Sequence, residues 1–127
     1  MSRRKLAVMS AVAVLAVTSG VFAGIKSYAP LSVNVAGHFA SGGLAETHNT
    51  ADSVQYAECG SNSTTGYCTL RDAGGTYYSC FTTDPALLTV IRSMSPDSIF
   101  SVVWDPSTNQ CTYVLSYASS RVAPRTP

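Results

Sequence analysis

The chain has 127 residues, of which 46% are hydrophobic and only 12% charged, and its formal charge is +1. Three of its eight basic residues lie in the first five positions. The remainder keeps Lys26, Arg71, Arg92, Arg121 and Arg125 against seven acids, a net charge of −2. No basic patch is left for a phosphate backbone, so nucleic-acid binding is not expected.

The N-terminal stretch reads as an export signal. Met1-Ser2-Arg3-Arg4-Lys5 is a short basic region, Leu6 to Val17 an apolar run, and Val21-Phe22-Ala23 a cleavage site, with the cut after Ala23. The apolar run is shorter than the roughly 20 residues that a membrane-spanning helix needs. Cleavage is therefore preferred to an uncleaved anchor, and Sec export to the twin-arginine route that Arg3-Arg4 half-matches. No cysteine stands near the cut, which excludes a lipid-anchored form. The expected division is residues 1–23 as signal peptide and residues 24–127 as one secreted or periplasmic domain, with no stable membrane span in the mature chain.

In chain order, Leu31 to Phe39 alternates, with Leu31, Val33, Val35 and Phe39 on one face, and reads as a half-buried strand. Ala40 to Thr50 reads as a Gly-containing polar loop. Ser53 to Cys59 is a second strand and Gly60 to Gly66 a loop. Tyr67 to Asp72 and Thr76 to Phe81 flank Ala73-Gly74-Gly75 as a hairpin. That register sets Leu70 opposite Tyr78 and Cys68 opposite Cys80. Asp84-Pro85 supplies a helix cap and first helical residue, with Leu87, Leu88, Ile91 and Met94 at helical spacing. Thr89-Val90-Ile91 would also suit a strand, but a short helix is preferred. Ile99 to Trp104 and Cys111 to Tyr117 form a last hairpin around the turn cluster Asp105 to Gln110. Tyr113, Leu115 and Tyr117 are expected on the Cys111 face. Ser119 to Pro127 is expected to fray. The fold class is thus mainly β (α+β): a small antiparallel sheet or sandwich of five to six strands with one short helix.

Four cysteines, Cys59, Cys68, Cys80 and Cys111, are separated by eight, eleven and thirty residues. No Cys-x-x-Cys occurs, so neither a zinc knuckle nor a redox motif is present. In an oxidising compartment an even count reads as two disulfides. Cys59–Cys68 with Cys80–Cys111 is the preferred pairing. Cys68–Cys80 fits the hairpin register and stays open as a rival.

The histidines, His38 and His48, have no metal-ligand spacing, and the serines no nucleophile elbow. The acids are scattered, with Asp97 and Asp105 flanking a strand in turn and cap roles. No catalytic residue, metal or cofactor is expected, and the protein reads as a non-enzyme with a structural or interaction role. Its partner is an unknown protein or surface. The seven tyrosines and Trp104 are expected mostly to pack against cross-strand neighbours, with an exposed binding face as the alternative.

The run from Asp52-Ser53 through Cys59, Tyr67-Cys68, Arg71-Asp72-Ala73-Gly74, Ser79-Cys80, Thr83-Asp84-Pro85-Ala86-Leu87, Asp97-Ser98, Trp104-Asp105 and Cys111-Thr112 resembles a group of small exported bacterial proteins without an assigned activity. The likeness implies a bacterial secreted or periplasmic protein and no catalytic residue. Tyr28-Ala29-Pro30, Gly37-His38 and the stretch from Cys80 through Asp84-Pro85-Ala86-Leu87-Leu88-Thr89-Val90 are similar to the subtilisin-inhibitor family of Streptomyces. That likeness implies a secreted serine-protease inhibitor whose reactive loop follows the third cysteine, at Phe81, Thr82 and Thr83. The first two inter-cysteine intervals are far shorter here than in that family.

Overall fold

A computed structural model describes residues 27–127; the expected signal peptide, 1–23, lies outside them. Seven strands and two helices follow one another: β1 (Ser32–Asn34), β2 (Phe39–Gly43), α1 (Leu44–Asn49), β3 (Tyr56–Ser61), β4 (Gly66–Arg71), β5 (Tyr77–Thr82), α2 (Pro85–Ser93), β6 (Ile99–Asp105) and β7 (Gln110–Tyr117). They form one sheet in the order β1-β2-β6-β7-β5-β4-β3. The protein is mainly β with two disulfides, as expected, although the strand count exceeds five to six and a second, six-residue helix is present. The sheet is also mixed. β5 and β7 run parallel and meet at a single pair, Phe81 with Gln110.

The central hairpin forms in the expected register, Leu70 opposite Tyr78 and Cys68 opposite Cys80. Gly75 rather than Gly74 takes the left-handed conformation, at φ 83°. The turn is closed by Gly75 N–H donating to Asp72 O at 2.9 Å and Thr76 N–H to Asp72 Oδ1 at 2.9 Å. The helix is also where its signals put it. Asp84 caps α2 by accepting from Ala86 N–H at 2.8 Å, and Pro85 opens it. Leu88 and Ile91 are buried, so the apolar stripe outweighs the β-branched run.

Three expectations are corrected. Leu31 to Phe39 is not one strand, because the chain reverses between Asn34 and Phe39. Asn34 Oδ1 accepts from Gly37 N–H at 2.7 Å, and His38 adopts φ 60°. The side-chain bond and the left-handed residue break the extended path that the alternation promised. Val33 stays buried, but Val35 and Phe39 are exposed. The expected loop Ala40 to Thr50 is in fact most of β2 and all of α1; small residues there let strands approach closely. A Cβ on Gly42 would lie 2.7 Å from Leu31 Cα. Finally, the C-terminal segment is anchored. Asn49 donates from Nδ2 to Pro124 O at 2.9 Å and accepts at Oδ1 from Thr126 N–H at 2.8 Å. Asp97 Oδ1 accepts from Arg125 N–H at 2.8 Å.

The sheet curls until β1 lies against β4, with Val33 N–H directed at Asp72 Oδ2, 3.4 Å away. Its inner face holds the core: Leu31, Val33, Ala40, Leu70, Phe100, Val102, Trp104 and Val114, with Cys68, Cys80 and Cys111. Tyr78 stacks on Trp104 with ring centroids 3.9 Å apart. Trp104 Nε1 is buried without a hydrogen-bond partner among the described residues. The helix α2 closes one end. It packs on β7, β3 and β4, and so closely on Gly66 that a Cβ there would lie 2.7 Å from Leu88 Cδ2.

Candidate functional site

Three of the four cysteines, Cys59, Cys68 and Cys80, fall in one row across β3, β4 and β5, and the fourth stands on β7. Cys59 is opposite Cys68, Cys68 opposite Cys80, and Cys111 opposite Trp104. The bonds are Cys59–Cys68 and Cys80–Cys111, and no cysteine is free. One bridge therefore ties β3 to β4 from below and the other ties β5 to β7. This is the preferred pairing. The two bridges fix the strands whose outer face carries the most conspicuous exposed chemistry.

That outer face is built by alternation. Residues 68 and 70 of β4 and 80 and 82 of β5 are buried, so Tyr67, Thr69 and Arg71, and Tyr77, Ser79 and Phe81, point outward. Register aligns them in three rows with β3: Tyr56, Arg71 and Tyr77; Glu58, Thr69 and Ser79; Gly60, Tyr67 and Phe81. Four aromatic side chains thus stand at the ends of a three-stranded platform. Its middle is polar: Thr69 Oγ1 and Ser79 Oγ are 3.0 Å apart. Tyr67 is held in place, since its ring lies over Gly60, where an added Cβ would be 3.1 Å from the ring, and its hydroxyl donates to Glu58 Oε1. That bond favours the neutral phenol and raises the Tyr67 pKa above its ordinary value.

The two loops beside the bridges converge on one cleft of about 470 Å³, lined by Ser63, Thr64, Thr65, Thr83, Pro85, Leu88 and Arg92. Asn62 organises the first loop. Its Oδ1 accepts from the N–H groups of Thr64 and Thr65 at 2.9 and 2.7 Å. Arg92 reaches across from α2, donating to Asn62 O at 2.7 Å and Ser63 O at 3.2 Å. The cleft wall is therefore one unit with the helix.

The three residues of the predicted binding loop have separate positions. Phe81 is exposed at the junction of the two halves of the sheet. Thr82 is buried, the last residue of β5, and its Oγ1 accepts from Asp84 N–H at 3.0 Å. Only Thr83 lies in a connecting segment, facing the cleft. The platform residues Tyr56, Tyr67, Arg71 and Tyr77 were not singled out from sequence. Hairpin register and the burial of both cysteine positions would have been signal enough to place them outward.

The tyrosines correct the core expectation more broadly. Six of the seven, Tyr28, Tyr56, Tyr67, Tyr77, Tyr113 and Tyr117, are exposed, and only Tyr78 packs against Trp104. In β7 the cause is a bulge. Val103 pairs with Tyr113 but Trp104 with Cys111, so Thr112 is an extra residue. It flips Tyr113, Leu115 and Tyr117 to the face opposite Cys111, contrary to strict alternation.

His38 and His48 lie beyond opposite ends of β2, a strand of about 17 Å, in the β1–β2 turn and the last turn of α1. Among the described residues no three His, Cys, Asp or Glu side chains gather as a metal site. Asp105 serves its turn, accepting from Ser107 N–H at 2.8 Å, whereas the Asp97 carboxylate holds the C-terminal segment through Arg125 N–H. No described helix is long and apolar enough to cross a membrane. No protein-family model, curated protein or solved structure matches the chain significantly.

Proposed function

We propose that the protein is exported to a secreted or periplasmic location and acts there without catalysis, binding a protein or surface partner through the platform of β3, β4 and β5. The observation that carries this reading is the pairing of the two faces of those strands. The outer face presents Tyr56, Tyr67, Tyr77, Phe81 and Arg71, while on the inner face one disulfide joins β3 to β4 and the other joins β5 to β7. Tyrosine and arginine are the side chains that dominate binding hot spots, because each combines a large contact area with a polar end. A sheet fixed from behind loses little conformational freedom when it binds. The disulfides accord with an oxidising compartment, and the likeness to small exported bacterial proteins points the same way.

The test is capture from the native extracellular or periplasmic fraction with the oxidised protein as bait, run beside an Arg71→Ala/Tyr77→Ala variant. Both positions are exposed, so the variant keeps the fold. A partner retained by the parent and lost by the variant is expected. A hydrolytic or redox turnover abolished by substituting His38 or His48 would overturn the non-enzymatic reading.

A further inference from the structure

A second outer surface lies on the other half of the sheet. β2, β6 and β7 align Phe39, Val103 and Tyr113 in one row, Ser41, Ser101 and Leu115 in the next, and Gly43, Ile99 and Tyr117 in a third. Among the described residues, Phe39, Tyr113, Leu115 and Tyr117 are each between 40% and 49% exposed. Tyr28 stands at the rim, and with Leu115 and Tyr117 it walls a recess of about 390 Å³ whose floor includes Ser41, Gly42 and Ser101.

We infer that this face is the contact between two copies of the chain, related by a two-fold axis. Two features select a second copy over other occupants. The first is charge. No residue in the three rows is charged; the nearest carboxylate, Asp105, lies beyond them at the end of β6 and keeps its charge, which the Ser107 hydroxyl stabilises. A two-fold axis brings like surface against like, so charges of one sign would repel across it. An uncharged face avoids that, and homodimer interfaces are more apolar than other contacts. The second is area. Aromatic side chains carry about 150–250 Å² each, so the exposed parts of Tyr28, Phe39, Val103, Tyr113, Leu115 and Tyr117 amount to roughly 600 Å² per copy. A pair would bury about 1,200 Å², the lower edge of the range for specific association. The roughly 600 Å² on one copy is as large as the largest apolar patch ordinarily left on a monomer. An interface of that size is at the small end of specific association, and its population depends on concentration.

Sedimentation equilibrium of the exported, oxidised protein between about 1 and 200 μM tests the inference. A rise from monomer to dimer mass is expected across that range. Leu115→Glu, an exposed substitution that puts like charges face to face, should weaken the dimer at least tenfold while the melting temperature stays that of the parent. Tyr56→Glu on the other platform should leave dimerisation unchanged, which separates this surface from the proposed partner site. A protein that is monomeric at 200 μM overturns the inference, even if its Tyr113 and Tyr117 resonances shift on adding a neutral polysaccharide or another protein. A dimer indifferent to Leu115→Glu overturns it equally.

Discussion

Cys68 and Cys80 face each other across β4 and β5, yet neither is bonded to the other. The Cα atoms of Cys59 and Cys68 are only 4.1 Å apart, the close spacing of a non-hydrogen-bonded antiparallel pair. A residue's N–H and C=O point to the same side of its strand, so those of Cys68 are directed at β5. Cys68 and Cys80 are then a hydrogen-bonded pair, whose side chains are held farther apart. The ladder thus decides between two partners that strand register alone leaves equal.

The bridges close loops of different length, with sequence separations of 9 for Cys59–Cys68 and 31 for Cys80–Cys111. Loop-closure entropy assigns them about 2.5 and about 3.5 kcal/mol. Replacing Cys80 and Cys111 together by Ala should therefore lower unfolding stability by about 1 kcal/mol more than replacing Cys59 and Cys68. Urea titration of the two double variants compares them directly. Equal midpoints and slopes would show that the longer loop is already restrained in the unfolded chain.

Gly42 and Gly66 are both tight, but against different neighbours. The Cβ of Gly42→Ala meets the Leu31 backbone, whereas that of Gly66→Ala meets the side-chain tips of Leu88 and Ile91. Backbone can yield only by moving β1, while side-chain ends can change rotamer. Gly42→Ala should cost about 3 kcal/mol and Gly66→Ala about 1 kcal/mol. Thermal unfolding ranks them, and the reverse order would mean that α2 is held more rigidly than β1.

The Asn49 side chain clamps the C-terminal segment through Pro124 O and Thr126 N–H, beside the Asp97 bond to Arg125 N–H. Asn49→Ala should free residues 124–127 at a global cost of about 1 kcal/mol or less. Faster amide exchange at Thr126, with unchanged exchange in β4 and β5, is the expected pattern. Unaltered exchange at Thr126 would assign the anchoring to Asp97 instead.

Asp52 lies in the turn before β3, where its carboxylate accepts from the N–H groups of Gln55 and Val54 and from the Gln55 side chain. The Gln55 backbone bond, then its side-chain bond, then that of Val54, lower its pKa from 3.8 to about 2. A carboxylate with a depressed folded pKa contributes its stabilisation above the unfolded pKa and loses it as pH falls. The turn should therefore be intact above about pH 4 and loosen as the pH drops toward 2. An NMR titration of the Asp52 carboxyl carbon should show a midpoint near 2; a midpoint at 3.8 would show that the turn does not persist in solution.

Local chemistry determined much of this protein. Asp84-Pro85 and the Leu88, Ile91 spacing specify α2, and Ala73-Gly74-Gly75 specifies the β4–β5 register, because each acts within a few residues of chain. The cysteine spacings excluded a metal or redox motif and favoured the observed pairing. What the sequence did not decide includes one local turn and the places where distant segments meet. Leu31 to Phe39 alternates like one strand, but the Asn34–Gly37 bond and a left-handed His38 turn it back. In β7, Thr112 becomes a bulge only when set against β6, and that one residue carries Tyr113, Leu115 and Tyr117 from the core face to solvent. The two aromatic surfaces follow from the same cause. Which face of a strand is buried depends on what the curled sheet encloses, and that closure rests on contacts such as Val33 with Asp72 and Cys80 with Cys111, made between residues far apart in the chain.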